Sequence, residues 1–236
     1  MINTNNTTKH KFNVDEYKFK EQIENIFGVE DLSTLHKSIG GHKLLNDVAT
    51  DQNTDHHKKY YNNVGDTLFY EIYNSFIEKK IRPLCGESII YQKIPTFRVQ
   101  LPSNFGVAAF HKDKDYSHYP NEINIFLPMT EAKDTNTIWT ESEEDKGDFS
   151  PLEASYGEYY IWDGANLNHG NKANVSGKTR VSVDFRFIPY SEYKASNKVS
   201  TGIQTKMILG EYFAYCDWGT KMNLKDSFVE LRCAFD

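Results

Sequence analysis

Two histidines and one aspartate in this sequence have the types and spacing of metal ligands. His111 and Asp113 are two residues apart in segment 105–113, whose composition favours a β-strand. Side chains of a strand alternate between its faces, so these two point to the same side. His169 follows the turn at 163–164 and supplies a third nitrogen ligand. The sequence therefore predicts a metal centre formed by His111, Asp113 and His169.

Two imidazoles and one carboxylate occupy one face of an octahedron and leave three positions open. This is the ligand set of non-haem Fe(II) oxygenases, in which a bidentate cosubstrate and dioxygen take the open positions. A His-x-Asp pair alone is a common pattern. Asp115 and His118 lie close by and are alternative ligands or solvated loop residues.

Segment 178–188 alternates between polar and apolar residues, which predicts a strand with two different faces. One face carries Arg180, Ser182, Asp184 and Arg186, and the other carries Val181, Val183, Phe185 and Phe187. A guanidinium beside a hydroxyl can bind a carboxylate through two hydrogen bonds. Arg180 and Ser182 are therefore predicted to bind the distal carboxylate of 2-oxoglutarate. Arg186 is an alternative for that role, and a surface ion pair with Asp184 is the structural alternative.

Together these residues resemble the Fe(II)/2-oxoglutarate-dependent dioxygenase superfamily. The order His111-x-Asp113, His169 and Arg180-x-Ser182 agrees with the order and spacing found there. The surrounding sequence is most similar to the streptomycin-biosynthesis StrG-like group, in segments 111–118, 121–124, 137–142, 169–174 and 179–186. The resemblance covers about residues 90–190 and implies a double-stranded β-helix, or jelly-roll, core.

The resemblance implies an enzyme that uses Fe(II), 2-oxoglutarate and O2 and releases succinate and CO2. His111, Asp113 and His169 would hold the iron, and the chemistry would belong to the cofactor. Related halogenases carry a small residue in place of the carboxylate. Asp113 therefore favours hydroxylation or desaturation over chlorination.

Two amide side chains are further candidates for cosubstrate binding. Gln100 shares a face of its predicted strand with Arg98, and Asn124 lies on predicted strand 121–128. Either amide could hydrogen-bond the metal-bound carboxylate of the cosubstrate or orient a ligating histidine. Ordinary cross-strand hydrogen bonding is the structural alternative for both.

Other residues are candidates for the substrate side. Trp139 and Glu141 share one face of predicted strand 136–141, whereas Tyr160 and Trp162 are expected in the core. The acidic loop from Glu141 to Ser150 suits a cationic substrate, although a charge run is more often a solvated loop.

Periodicity predicts the elements that position these residues. Residues 1–11 are expected to be disordered and the polar stretch 46–63 to form a surface loop, while 13–29 and 65–81 have helical spacing. Pro83 and Gly86 are expected to end the second helix. Predicted strands follow at 88–100, 105–113, 121–128, 136–141, 157–163 and 178–188.

This order predicts a mainly β fold with one oxygenase domain over residues 12–236. A jelly-roll, or cupin-like, core spans about 88–190. Amino-terminal helices flank it over about 12–85, and a carboxy-terminal cap covers about 191–236.

Composition excludes several function classes. A formal charge of −6 without a Lys/Arg cluster argues against nucleic acid. No apolar run reaches the roughly 18 residues that span a bilayer, and the polar segment 1–11 predicts no signal peptide. Three widely spaced cysteines fit reduced thiols. We expect a cytoplasmic protein that acts on a small molecule; its oligomeric state is not predicted.

The expected substrate is a small polar metabolite, such as an amino acid, an amino-sugar derivative or a natural-product intermediate. A protein side chain ranks second and nucleic acid third. Two other functions share the barrel: a cupin-like metal-dependent isomerase or hydrolase, and a non-catalytic ligand-binding module. Neither requires an arginine and a serine beside the metal to bind a carboxylate.

Overall fold

The computed structural model describes residues 7–38, 54–104, 109–200 and 205–219. Within them the strands are β1 (Thr8–Lys11), β2 (Ile89–Gln92), β3 (Thr96–Gln100), β4 (Ile123–Pro128), β5 (Ile138–Thr140), β6 (Ser150–Pro151), β7 (Glu158–Trp162), β8 (His169–Asn171), β9 (Arg180–Pro189) and β10 (Phe213–Cys216). The α-helices are α1 (Phe19–Phe27), α2 (Asp55–Asn63), α3 (Phe69–Phe76) and α4 (Arg82–Cys85). No helix among these residues is both long and apolar enough to cross a membrane.

The strands form two antiparallel sheets. The larger has the order β1-β7-β4-β9-β2-β10, with β3 also paired to β9, and the smaller has the order β6-β5-β8. Strand β9 is the centre of the larger sheet, because β4 lies along one side and β3 and β2 share the other. The mainly β, jelly-roll core predicted from the sequence is confirmed.

The alternation of β9 separates the hydrophobic core from the pocket. On its apolar face, the Phe185 ring packs edge-on against Tyr73 and Phe76 of α3, at centroid distances of 5.0 and 6.4 Å. On the other face, Arg180 pairs in register with Gln100 of β3. Directly opposed residues of antiparallel strands project to the same side. The polar side chains of β9, β3 and β4 therefore share one surface.

The amino-terminal helices begin later than predicted. Helix α1 buries four apolar side chains, Phe19, Ile23, Ile26 and Phe27, and ends at Gly28, whose φ of +67° suits glycine. Helix α3 continues through a π-helical segment, Ile77–Ile81, into α4. Pro83 lies inside α4 and does not end the helix; Gly86, with φ +79°, does. Pro83 closely follows the π-helical segment, where the regular i to i−4 hydrogen-bond pattern is already interrupted, which accounts for its tolerance here.

Two segments expected to be irregular are ordered. Residues Thr8–Lys11 form β1, which pairs with β7 at the edge of the larger sheet, where Lys9 and Lys11 lie 3.7 and 3.8 Å from Glu158. A polar edge strand of this kind has little apolar signal in its sequence. Residues 1–6 of the predicted disordered tail lie outside the described residues.

The stretch 46–63, predicted as a loop, contains α2; its residues 46–53 lie outside the described part. The Thr54 side chain caps the helix by accepting from the His57 N–H. The helix buries His56, His57 and Tyr60 instead of aliphatic residues. Its polar composition therefore concealed an amphipathic helix. In the predicted carboxy-terminal cap, β10 pairs with β2 and belongs to the larger sheet.

Candidate metal and cosubstrate site

The three predicted metal ligands converge in one pocket. His111, Asp113 and His169 each offer a ligand atom within 4.8 Å of the others. Asp113 Oδ1 lies 3.4 Å from Nε2 of His111 and 3.7 Å from Nε2 of His169. Two ligand atoms bound at about 2.1 Å to one ion lie about 3.0–3.4 Å apart. The residues therefore fit one divalent metal ion with small adjustments of the side chains.

The backbone brings the ligands together differently from the strand prediction. His111 and His169 form an antiparallel bridge, with both N–H to O distances at 2.9 Å. Asp113 lies beyond this bridge at the start of a 3₁₀ helix, Asp113–Tyr116, and its N–H donates to Gly164 O at 3.1 Å. A turn, not the alternation of a regular strand, therefore positions the carboxylate. Residues 105–108 of the predicted strand lie outside the described residues.

Both imidazoles present Nε2 to the site. Nδ1 of His111 lies 2.7 Å from Ala109 O, and Nδ1 of His169 lies 3.0 Å from Leu167 O. A neutral ring that donates from Nδ1 has its lone pair on Nε2. Burial lowers the pKa of His169 to about 4, although the charge of Asp113 opposes this shift. The His169 ring is therefore neutral, as a metal ligand must be.

Asp113 is a buried anion with one oxygen already engaged. Its Oδ2 accepts from Arg186 Nε and Nη2, at 3.0 and 2.8 Å, and from Asn124 Nδ2 at 2.7 Å. Burial alone would raise the pKa of Asp113, but the Arg186 guanidinium holds it well below its usual range. The other oxygen, Oδ1, faces the two histidines.

In this structure Arg186 therefore binds Asp113 through two of its N–H groups. The surface ion pair with Asp184 is not formed by Arg186. Instead, Arg98 of β3 forms a bidentate pair with Asp184, with Nε to Oδ1 at 3.1 Å and Nη2 to Oδ2 at 3.2 Å. This pairing follows from the register of β3 and β9, which a single strand sequence does not reveal.

Arg180 and Ser182 line the same pocket as the metal ligands. Both are buried, and Arg180 Nη1 donates to Asn171 Oδ1 at 3.0 Å. The hydroxyl of Ser182 is buried and has no hydrogen-bond partner among the described residues. A buried hydroxyl without a partner is costly unless a ligand completes it. The pair thus has the composition and burial of a carboxylate site.

The two predicted amides have different positions. Asn124 lines the pocket and donates to the carboxylate ligand Asp113, not to a ligating histidine. Gln100 is fully buried, and its Nε2 donates to the carbonyl oxygens of Asn104 and Lys172 at 3.3 and 2.8 Å. Its contacts fit the structural alternative, hydrogen bonding between neighbouring segments.

The two alternative metal ligands, Asp115 and His118, are not part of the group formed by His111, Asp113 and His169. Asp115 is exposed. His118 Nδ1 is 2.7 Å from Glu122 Oε2, and Glu122 Oε2 in turn lies 3.6 Å from Arg186 Nε. His118 therefore belongs to a series of polar contacts that runs through Glu122 and Arg186 to the ligand Asp113. The sequence analysis did not predict this series.

The remaining candidates lie partly where they were expected. Trp162 is buried in a hydrophobic cluster, as expected, and it also lines the pocket, where it packs edge-on against His169 at a centroid distance of 4.6 Å. Glu141, a candidate for the substrate side, is buried with its carboxylate bonded to backbone N–H groups. Trp139 lies beneath the Lys172 ammonium, 3.0 Å from the ring centroid. Asn171 was missed as a pocket residue, although it lies two residues after His169.

Comparison with known proteins identifies a close relative in sequence. No family model matches the chain. The streptomycin biosynthesis protein StrG of Streptomyces griseus is 34% identical over 209 residues, which cover 87% of this chain and 96% of StrG.

Solved structures share the fold at low sequence identity. EctD from S. alaskensis, solved with 2-oxoglutarate and 5-hydroxyectoine, has a TM-score of 0.52 and 11% identity, covering 80% of this chain and 73% of EctD. SnoK, a non-haem α-ketoglutarate-dependent carbocyclase from nogalamycin biosynthesis, has a TM-score of 0.50 and 8% identity. That match covers 89% of this chain and 91% of SnoK. These similarities support the jelly-roll assignment.

Proposed function

Since the chain belongs to the StrG family and has the fold of 2-oxoglutarate-dependent oxygenases, we propose that it hydroxylates a small polar metabolite with Fe(II), 2-oxoglutarate and O2. One observation carries the proposal. His111, Asp113 and His169 converge within 4.8 Å in a pocket that Arg180 and Ser182 also line. A cupin-like isomerase, a hydrolase or a binding module does not require Arg180 and Ser182 beside the metal ligands.

The donor set fits Fe(II). Two neutral imidazole nitrogens and one carboxylate oxygen form the ligand set that suits this ion and leaves positions open for other ligands. When bound with 2-oxoglutarate and O2, the iron supplies the chemistry that oxidises a C–H bond and yields succinate and CO2. The remaining contributions belong to side chains of this chain.

Arg180 and Ser182 bind the distal carboxylate of 2-oxoglutarate in this proposal. The guanidinium is buried, so its charge is weakly screened and attracts an anion strongly. The Ser182 hydroxyl, which lacks a partner among the described residues, donates a second hydrogen bond. Together they fix the orientation of the cosubstrate along β9.

Arg186 and Asn124 orient the carboxylate ligand. Because both donate to Oδ2 of Asp113, Oδ1 alone is directed at the metal position. Asp113 would therefore hold the metal through Oδ1, and the metal would supply the chemistry of the cosubstrate and dioxygen. Trp162 packs on His169 and limits the rotation of that ring.

The walls of the pocket support a small polar substrate. The cavity has a volume of about 50 Å³ and therefore suits a small group of a substrate, not a bulky one. Its lining includes the Arg98–Asp184 ion pair and Asn171, with few apolar side chains. A polar metabolite can replace the hydrogen bonds that these groups make with water, whereas an apolar one leaves them unpaired.

The test is an anaerobic titration of metal-free protein with Fe(II) and then 2-oxoglutarate. We expect a weak visible charge-transfer band that requires His111 and weakens in Arg180→Ala. Arg180→Lys is the matched variant, because it keeps the charge but loses the planar fork. Folded, Fe(II)-loaded wild-type protein that gives no band would contradict the proposal. Succinate release with a panel of amines and amino acids then identifies the substrate.

A further inference from the structure

The acidic loop that joins β5 to β6, residues 141–149, contacts both segments that carry metal ligands. We propose that this loop is a brace that holds His111, Asp113 and His169 in ligating geometry, with Glu141 as its main positioning residue. The inference rests on the proposed metal site and adds a positioning function for the loop.

Glu141 is the first anchor of the brace. It is 1% exposed, and its carboxylate accepts from the Asn168 N–H at 2.6 Å and from the Gly147 N–H at 3.1 Å. The Glu141 N–H also donates to Asn168 O at 3.2 Å. Hydrogen bonds from N–H groups to an ionised carboxylate are stronger than neutral ones. Glu141 thus fixes the residue before His169 and closes the loop on itself.

Two lysines on either side of Asp113 are the second anchor. Lys112 Nζ lies 2.6 Å from Asp145 Oδ1 and 3.0 Å from Glu144 Oε1, and Lys114 Nζ lies 2.6 Å from Glu144 Oε1. Exposed ion pairs of this kind contribute little to overall stability. Their geometric effect is specific, because the loop holds both neighbours of the carboxylate ligand.

An aromatic contact is the third anchor. Phe149, at the end of the loop, packs edge-on against Phe110 at a centroid distance of 4.7 Å. Phe110 precedes His111 and lies so close to Gly170 that a Cβ there would be 2.9 Å from its ring. The loop therefore reaches the neighbours of all three ligands: Phe110, Lys112, Lys114 and Asn168.

Two of the three ligands, His111 and Asp113, lie outside the regular strands and need such support, whereas His169 begins β8 of the smaller sheet. His111 is held by an isolated bridge to His169, and Asp113 lies in a 3₁₀ turn outside both sheets. Groups that orient metal ligands typically change metal affinity by 10–100-fold when they are removed. In this proposal the acidic residues of the loop serve to bind Lys112, Lys114 and Lys146, and a cationic substrate is not needed to account for them.

The experiment measures Co(II) binding to metal-free protein by calorimetry and by the ligand-field absorption spectrum, without 2-oxoglutarate or O2. We expect Glu141→Gln to weaken Co(II) binding about 10–100-fold and to alter the spectrum. The matched control is Glu143→Ala, since Glu143 is 76% exposed and pairs with Lys146 inside the same loop. The control should bind Co(II) as the wild type does.

A surface variant keeps the test decisive if Glu141→Gln fails to fold. Glu144→Gln/Asp145→Asn removes the ion pairs to Lys112 and Lys114 and should weaken Co(II) binding by a few-fold. Wild-type affinity and spectrum in the folded Glu141 variant, or in the surface variant if Glu141→Gln does not fold, would overturn the brace. Failure of the wild type itself to bind Co(II) would instead overturn the proposed metal site, and the brace with it.

Discussion

Arg186 directs two N–H groups, Nε at 3.0 Å and Nη2 at 2.8 Å, at the same oxygen of Asp113. Both side chains are buried, and the other oxygen of Asp113 faces the two histidines. The guanidinium therefore selects which oxygen is offered to the metal. It also compensates a carboxylate that would otherwise be buried without a cation in the metal-free protein.

Replacing Arg186 should destabilise the metal-free protein more than the metal-bound protein. Arg186→Met leaves Asp113 uncompensated, and breaking a buried pair in this way costs about 3–5 kcal/mol. A bound divalent ion restores positive charge and should reduce the loss. Urea unfolding with and without Co(II) measures both values. Arg98→Met is the control, because its pair with Asp184 does not contact a ligand. An equal loss with and without metal would contradict the prediction.

Ser182→Ala should separate cosubstrate binding from stability. The hydroxyl has no hydrogen-bond partner among the described residues, so its loss leaves no protein group unpaired. Because an unpartnered buried hydroxyl is costly, we expect the free energy of unfolding to stay the same or to rise by up to about 1–3 kcal/mol. The affinity for 2-oxoglutarate should fall about tenfold, because a hydrogen bond to a charged group is lost. Ser191→Ala, on the exposed surface, is the control for the titration. Unchanged 2-oxoglutarate affinity would remove Ser182 from the site.

Gly170→Ala should weaken the metal site by steric conflict. A Cβ at this position would lie 2.9 Å from the Phe110 ring and 3.1 Å from its Cα. Overpacking of this kind costs about 1–3 kcal/mol, and the shift of Phe110 should displace His111. Thermal unfolding and Co(II) titration measure the two effects. Gly65→Ala is the matched control, since a Cβ at Gly65 would meet nothing within 4 Å. Equal behaviour of the two variants would refute the steric argument.

His57 should make stability depend on pH. Burial lowers its pKa to about 3, compared with about 6.5 in an unfolded chain. The unfolded state therefore binds more protons between these values. The contribution of neutral His57 to the free energy of unfolding is therefore complete above pH 6.5 and is lost as the pH falls toward 3.

The variant His57→Leu removes this linkage. Its unfolding free energy should fall less steeply with decreasing pH than that of the wild type, by at most about 1.4 kcal/mol per pH unit for one proton. Urea titrations between pH 7 and pH 4 measure the difference. Parallel curves for the two proteins would show that His57 does not titrate as proposed.

The sequence predicted the parts of the site that depend on local patterns. The strict alternation of β9 was sufficient to assign its two faces, because every polar residue from Arg180 to Arg186 lies on one side. The convergence of His111, Asp113 and His169 was predicted correctly, although a turn and not a continuous strand positions Asp113.

The missed features depend on contacts between distant segments. Whether Arg98 or Arg186 pairs with Asp184 is decided by cross-strand register, which one strand does not encode. Helix α2 was missed because its buried face consists of histidine and tyrosine side chains. The burial of Glu141 could not be inferred, because its partners are backbone N–H groups 6 and 27 residues away.

The two faces of β9 also limit how this gene segment can change in length. One inserted or deleted residue between Arg180 and Arg186 would exchange the faces beyond that point, moving Arg186 into the apolar core and Phe185 or Phe187 into the pocket. Residues 172–178, which precede the strand, do not alternate between two faces, so a change in their number would not exchange the faces of β9. Length variation in relatives should therefore concentrate before β9 and be absent within it.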